Sequence, residues 1–581
     1  MTPELSRGAA SRGRYRSAVD LPGTSGELSG VTPRASRLAL AAVVLLAACS
    51  RGPQTSPEPT ASSPEPTGSS PLSRPTPATS DASPAGEAVE LAVVSLPSEV
   101  GGARFATWTA AGDGIVLSGR LPGHDSDQIL VVAEDGTNLR CVSCNATAAT
   151  GVDRAAPLLK PLPFPDGVRV LVRIGEQSPI RPSNHGVLEC FPSVAECASA
   201  RLVPIDPPAA GDPSVVQDER ELRLAPDGQT IGLTQVRRRA DGDSALVSIV
   251  GRLRREGGDA DGRYVVDDAR VISDLGELKG FTPDGRAALV AAFTTLLDRA
   301  ANPDVVRVEL ASGAVSDLTV ADGYDEDVAL SPDQRSYVVA SGRGSGLYET
   351  VSQLHRPNLL GPGLEPLTAY LFSAHRGDLL EPWLVPVEAE AGGALGQPLD
   401  PDAPAEGWDG RTLIRWHPSG DRVIWWEGRG DAFAAPEAGS TRVVVAHLTD
   451  RAPQEPRQPQ RTSVGAWAPA LAGYVPPKWE PPRSRDGQIS GAVTVTQTTD
   501  GESTSIEVRY RDFADVSGWV IDGVEAATFS RGLLGATHYT AELTLSGDHD
   551  GWLRADARIS AVGLEGSISS SVDGRALALP A

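Results

Sequence analysis

The chain has 581 residues, a formal charge of -23, 61 Gly, 48 Pro and only 5% aromatic residues. That length suits two or more domains, and the Gly- and Pro-rich composition suits a loop-rich β protein rather than a helical bundle. The acidic balance argues against nucleic-acid binding, which needs a basic footprint, and fits a solvated surface open to cationic partners.

Residues 37–49, RLALAAVVLLAAC, form an apolar run opened by Arg37. The run is too short for an ordinary transmembrane helix and has the charge and length of a secretory h-region. It ends in Leu46-Ala47-Ala48-Cys49, which resembles the bacterial lipobox. The resemblance implies a lipoprotein signal peptide over 1–49 and a diacylglycerol on the thiol of Cys49. Two or more acyl chains hold a protein stably to a membrane, so a cell-membrane tether on the extracytoplasmic face is expected. Residues 1–30 are long and mixed in charge for a signal, and the expected true start lies near Val31. Residues 50–88 are dominated by Pro, Ser, Thr and Ala and repeat SPEPT. That composition cannot bury a core and reads as a disordered linker.

From residue 89 to about 482 a turn signal recurs before β-rich runs. Its instances are Asp113-Gly114, Pro165-Asp166-Gly167, Pro226-Asp227-Gly228, Pro283-Asp284-Gly285, Pro332-Asp333-Gln334 and Pro418-Ser419-Gly420. Pro presets φ, Asp caps the turn with its side chain, and Gly takes the left-handed position. The following residues are alternately or continuously apolar, as in half-buried or buried strands. A second hairpin follows in several units, as in DVVRVELASGAVSDLTV at 304–320. Each unit reads as four antiparallel strands, one propeller blade. The SPDG-like turns and the SGAVSDLT end at 312–319 resemble the TolB-type, WD40-like β-propeller repeat. The fold expected over 89–482 is therefore an all-β, six-bladed propeller, with seven blades as the alternative. An irregular interval between Asp333 and Ser419 holds either a large insertion around 347–367 or an unrecognised blade.

Pro476, Pro477, Pro481 and Pro482 end regular structure. Residues 483–581 then alternate apolar and polar over six runs joined by DG, SG and GDHDG turns. The pattern predicts a small antiparallel β-meander or sandwich.

Catalytic signatures are missing from the sequence. The peptidases that carry a similar propeller need a G-x-S-x-G elbow on an α/β partner, which is absent, as are a P-loop, a dinucleotide fingerprint and H-E-x-x-H. His417 in WHPSG and Trp416, Trp425 and Trp426 read as structural, although the Trp side chains could also stack on a sugar. The acidic loops at 259–262, 325–328 and 547–551 lack the ligand spacing of an EF-hand. No catalytic residue, metal or cofactor is assigned. A binding, scaffold or sensor module for an envelope protein or glycan is expected. The rival is a glycan-active hydrolase or lyase at the channel mouth, because a propeller supports both.

With Cys49 lipidated, Cys141, Cys144, Cys190 and Cys197 remain, and outside the membrane they meet non-reducing conditions. An i to i+3 turn brings Cα atoms within about 7 Å, which permits a Cys141–Cys144 bridge. Cys190 and Cys197 flank a Pro-containing loop and form the second expected pair, with a four-thiolate zinc site as the alternative.

Overall fold

The structure is a computed structural model that describes residues 86–580 apart from 177–183, 210, 241, 293–298, 391–393, 431–438, 456–459, 502 and 531–534. Cys49, the signal segment and the linker up to residue 85 lie outside the described residues. All described residues belong to one compact unit.

Residues 89–448 fold into successive antiparallel units; three are separate four-stranded sheets, the second and third are joined into one nine-stranded sheet by a parallel contact of Ser199–Asp206 with Arg263–Ser273, and the last is five-stranded. The first runs from Gly101–Trp108 to Arg140–Cys141, the second from Leu158–Pro163 to Ser199–Asp206, and the third from Val215–Leu224 to Arg263–Ser273. The fourth spans Gly276–Phe281 to Val315–Asp317, and the fifth Asp325–Leu330 to Gln397–Pro398. In the sixth, Arg422–Gly428 and Thr441–Leu448 are completed by the N-terminal strand Val89–Val93, which pairs antiparallel with Thr441–Leu448. Chain start and chain end of the propeller are thus stitched into one sheet, which closes the ring.

The cores lie between sheets. Phe105, Trp108, Ile424 and Trp426 join the sixth unit to the first, and Val116, Ile129, Val172 and Leu188 join the first to the second. Such burial contributes roughly 1.5–3 kcal/mol per large apolar side chain, which explains why strands such as Ala287–Ala292 are buried at every position.

The turn residues behave as their chemistry dictates. Asp227 Oδ1 accepts from the backbone N–H groups of Gln229 and Thr230, and Asp166 and Asp333 cap their turns in the same way. Asp284 accepts from Thr282 Oγ1 and the Arg286 N–H. Gly167, Gly228, Gly285 and Gly420 take φ of 71°, 63°, 72° and 75°, and Gln334 takes 63° in the same place. The first unit differs from the sequence reading. Its left-handed residue is Gly112, at φ 75°, whose N–H donates to Thr109 O as Gly167 N–H does to Phe164 O. Asp113 and Gly114 fall after the turn, and Asp113 instead accepts from Thr109 Oγ1 at 2.5 Å. The DG pair misled because Ala110-Ala111-Gly112 supplies the turn without Pro or Asp.

The irregular interval holds an insertion, not another sheet. Between Ser336–Ser341 and Glu381–Pro386 the chain leaves the fifth unit and forms short helices, among them Glu365–Ala374. The C-terminal part is one meander of eight strands, Ser484–Asp486 to Arg575–Ala578, in consecutive order. The six long strands match the six alternating runs, and a short strand is added at each edge. Its inner face does not close on a second sheet. Val493, Ile506, Val508, Leu543 and Ile559 pack on Leu354, Leu360, Leu367 and Leu371 of the insertion. The sheet therefore takes its core from a segment more than a hundred residues earlier in the chain.

That seam also carries a buried acid, Glu349, and a half-buried one, Glu365. Glu365 lies with Asp243, Pro362, Pro366 and Phe529 around a water-sized cavity. Burial and then the nearby Asp243 push its carboxyl up to about 8. Burial likewise raises Glu349 on the insertion to about 7. Both groups are more easily ionised in the unfolded chain, so their contribution is complete below the ordinary carboxylate range and is lost as pH rises towards 8. Glu365→Gln is therefore expected to raise the melting temperature at pH 9 by at least about 2 °C and to leave it nearly unchanged at pH 5. Calorimetry at the two pH values checks this, and equal shifts at both would contradict it.

Candidate functional site

The functional candidate is the propeller axis, built by a device repeated along the chain. Innermost strands carry β-bulges, seen as register shifts between Arg104 and Thr107, Leu159 and Leu162, Arg220 and Arg223, Leu278 and Gly280, and Asp325 and Val328. Phe105, Lys160, Glu221 and Leu413 have positive φ, from 49° to 71°. A bulge re-aims side chains and stops regular pairing. Here it gathers charged residues from separate units into one network.

Lys160 donates to Glu221 Oε1 at 3.1 Å. Arg223 Nη2 reaches Glu221 at 2.6 Å and Asp327 at 3.3 Å. Lys279 Nζ bridges Glu277 at 2.7 Å and Glu326 at 2.8 Å, and Arg220 pairs with Glu277. Asp327 also accepts from the Leu413 N–H. Burial opposes the charge on Glu221, Glu277 and Asp327, but the cations outweigh it. Lys160, Arg223 and Lys279 hold Glu221 well below the usual carboxylate range, Arg220 and Lys279 hold Glu277 down, and Arg223 and Arg415 hold Asp327 down. Burial also opposes the charge of Lys279, yet Glu277 and Glu326 raise its pKa. Burial lowers Lys160.

The mouth lies on the face of the loops between second and third strands. Buried Arg104 holds Asp127 at 2.7 Å and half-exposed Glu176 at 2.9 Å, and Arg120 also reaches Asp127, at 3.2 Å. Beside them His185 Nδ1 lies 3.0 Å from Glu219 Oε1, both side chains being buried. Burial raises the pKa of Glu219 against the pull of His185, and raises that of Asp218. A carboxyl whose pKa is raised beside an imidazole is a candidate for binding a polar ligand or for proton transfer. No group of three or more His, Cys, Asp or Glu among the described residues is arranged to hold a metal ion.

The predicted turn residues do not belong to this site. They ring the opposite face and pack on one another: Gly228 sits over Pro165, Gly420 over Pro332, and Gly112 against His417. His417 Nε2 lies 2.9 Å from Gly112 O, a structural tie between the sixth and first units. Trp416, Trp425 and Trp426 are buried, and their indole N–H groups donate to Ala329 O, Glu427 Oε1 and Thr412 O.

Cys141 and Cys144 form a disulfide, in the edge strand of the first unit and the connection to the second. The expected second bridge is not formed. Cys190 and Cys197 are thiols, and with one pair bridged there is no four-thiolate zinc site. Cys144 and half-buried His124 border a cavity of about 360 Å³ between the first and second units, together with Gln128, Asp153, Arg154 and Leu202.

The axial residues escaped the sequence reading because they come from strands some 50 residues apart. A signal exists: Lys160 and Glu221 stand four residues before the Phe164 and Ala225 that open their turns. A charged residue four places before the turn is the mark these two axial positions share.

No family model matches the chain. No curated protein matches it. Solved structures resemble it at low similarity. TolB from Acinetobacter baumannii has 13% identity and a TM-score of 0.30, covering 60% of this chain and 66% of that one, just under two thirds of its length. Oligogalacturonate lyase from Vibrio parahaemolyticus has 9% identity and a TM-score of 0.33, covering 62% and 97%. Prolyl oligopeptidase B from Galerina marginata has 12% identity and a TM-score of 0.27, covering 70% and 46%. At these values the likeness is no basis for an activity, and the architecture rests on the strand pairing itself.

Proposed function

We propose that the protein is a binding module, a scaffold or sensor tethered through lipidated Cys49 to the outer face of the cell membrane, that holds an envelope protein or glycan at the axial mouth. The axial network carries this reading. Its carboxylates are matched by cations, so the axis is a charge-paired plug rather than an open tunnel lined by an acid and a base. No helix among the described residues is long and apolar enough to cross a membrane. Immobilised acyl-free protein is expected to retain a specific envelope component, and the half-exposed mouth variants Arg120→Ala and Glu176→Gln are expected to weaken that retention. Equal retention by native and variant protein would remove the mouth from the proposal. Cys49→Ser is expected to shift the protein from the membrane to the soluble fraction and to abolish acyl labelling. Unchanged fractionation would overturn the tether.

The second reading, a hydrolase or lyase acting on glycans, is favoured by one observation, the raised acids Asp218 and Glu219 beside His185. It expects turnover of acidic or neutral oligosaccharides that Glu219→Gln reduces by about 100-fold or more, the scale of a lost general acid or base. Turnover unaffected by that change would exclude this site as its source.

A further inference from the structure

Cys190 and Cys197 do not behave as the staple that their spacing suggests. Cys190 sits near the end of strand Asn184–Phe191, paired across the hairpin with Ala200. Cys197 lies in the connecting loop, just before the Ala198 N–H that donates to Phe191 O at 2.8 Å. Both pack in the core between the first and second units, Cys190 buried and Cys197 half-buried. The hairpin tip is open to solvent, since the adjacent Phe191 is 73% exposed. The Cys197 thiol donates to Ser199 O at 3.4 Å. The loop is docked on the strand that carries the formed disulfide, because Arg140 Nη1 donates to Ala195 O at 3.1 Å.

The two sulfurs are not equivalent. A hydrogen bond from Cys190 to Cys197 lowers the pKa of Cys197 against the effect of its burial, and the Phe191 backbone N–H adds to the lowering. The same contact, and burial, push the Cys190 thiol up. The more accessible sulfur is the one an incoming group meets, and the sheltered one lies in the same packed cluster behind it.

We propose that Cys190 and Cys197 form a thiol–disulfide exchange site, in which half-buried Cys197 meets an incoming disulfide and buried Cys190 resolves the mixed species. The oxidant is a disulfide, R–S–S–R, from a small thiol couple or a protein oxidoreductase. Cys197 thiolate attacks one sulfur, the S–S bond breaks, and one RS⁻ leaves and takes up the proton that Cys197 released. Cys190 then attacks Cys197 Sγ, and the second RS⁻ leaves with the Cys190 proton. Two protein thiols lose two electrons and two protons, and the oxidant becomes two RSH. The proposal does not depend on the binding reading or on the ligand at the mouth.

The test uses the full chain with oxidised glutathione as the probe, followed by peptide mass spectrometry without reduction. The native protein is expected to form the 190–197 bridge and to lose it again in dithiothreitol while Cys141–Cys144 remains bonded. Cys190→Ser is expected to trap glutathione on Cys197. Cys197→Ser is expected to leave Cys190 unmodified, and iodoacetamide should label Cys197 in native protein at least about ten times faster than Cys190. A 190–197 bridge that resists reduction longer than Cys141–Cys144 would make the pair a staple and overturn the proposal. Equal labelling of both thiols, or no adduct on Cys197 in Cys190→Ser, would overturn it as well.

Discussion

Arg356→Ala is expected to cost about 3–5 kcal/mol of stability, the usual loss when one partner of a buried ion pair is removed. Arg356 comes from the insertion, and its guanidinium meets Glu525 of the C-terminal sheet with both side chains fully buried. It holds Glu525 Oε2 through Nη2 at 2.9 Å, Tyr539 Oη through Nη2 at 3.1 Å and Val351 O through Nη1 at 2.7 Å. Tyr510 and Tyr539 donate their hydroxyls to the same carboxylate, at 2.7 and 3.0 Å. Without the guanidinium, Glu525 is left charged or forced to protonate inside an apolar sheet. The pair itself need not be strongly stabilising, because both charges were taken out of water. Arg356→Met combined with Glu525→Leu, Tyr510→Phe and Tyr539→Phe is therefore expected to recover most of the loss. Denaturant unfolding of the single and combined variants separates the two terms. A loss below about 1 kcal/mol for Arg356→Ala, the level of an exposed pair, would show that the seam is held by apolar packing alone.

The second large effect is expected at the axis. Asp327→Ala removes one of the two carboxylates that meet the Arg223 guanidinium, and the acceptor of the Leu413 N–H, and leaves buried Arg223 short of one counter-charge. A cost of about 3–5 kcal/mol follows on the same reasoning. It has a pH signature opposite to that of Glu365. Asp327, Glu221 and Glu277 are held below the usual carboxylate range. Their contribution is therefore complete above the unfolded value of about 4 and is lost as pH falls through the lower folded values. Asp327→Asn is expected to be destabilised at pH 7 and to approach the native protein below pH 3. Unfolding curves at the two pH values check this, and a constant difference would mean that the charge of Asp327 is not what matters.

The repeat was legible because each turn is a local event. Pro, Asp and Gly act on their own backbone within four residues, so the turns at Asp166, Asp227, Asp284 and Asp333 could be placed without knowing what packs around them. The Asp113-Gly114 error has the same origin: a strong local signal stood two residues after a weaker one that the hairpin uses. The six long C-terminal strands were legible from alternation, since one face is wet and the other dry. What the dry face meets was not, because Leu360, Leu367 and Leu371 come from a helical segment whose apolar residues look like those of any core. The axial network was hidden for the same reason, in that charge compensation between Lys160 and Glu221 is a property of folded distance. The cysteines divide along this line too. The Cys141–Cys144 bridge follows from a tight turn, whereas the state of Cys190 and Cys197 depends on burial.

The stitched sixth sheet has a mechanical consequence. Any pull applied through the N-terminal segment enters the fold at residues 86–93 and reaches strand Val89–Val93 first. That strand is an edge, held by five backbone pairs to Thr441–Leu448. Arg451 holds Glu87, and Asp450 accepts from the Ala88 N–H at 3.0 Å, so the load passes at once to the far end of the propeller chain. Tension therefore acts on the clasp of the ring while the C-terminal sheet, anchored through Arg356, stays off the load path. The sixth sheet would lose this edge strand, and the ring its seam, before the other sheets are loaded, which makes the clasp the mechanical fuse of the molecule.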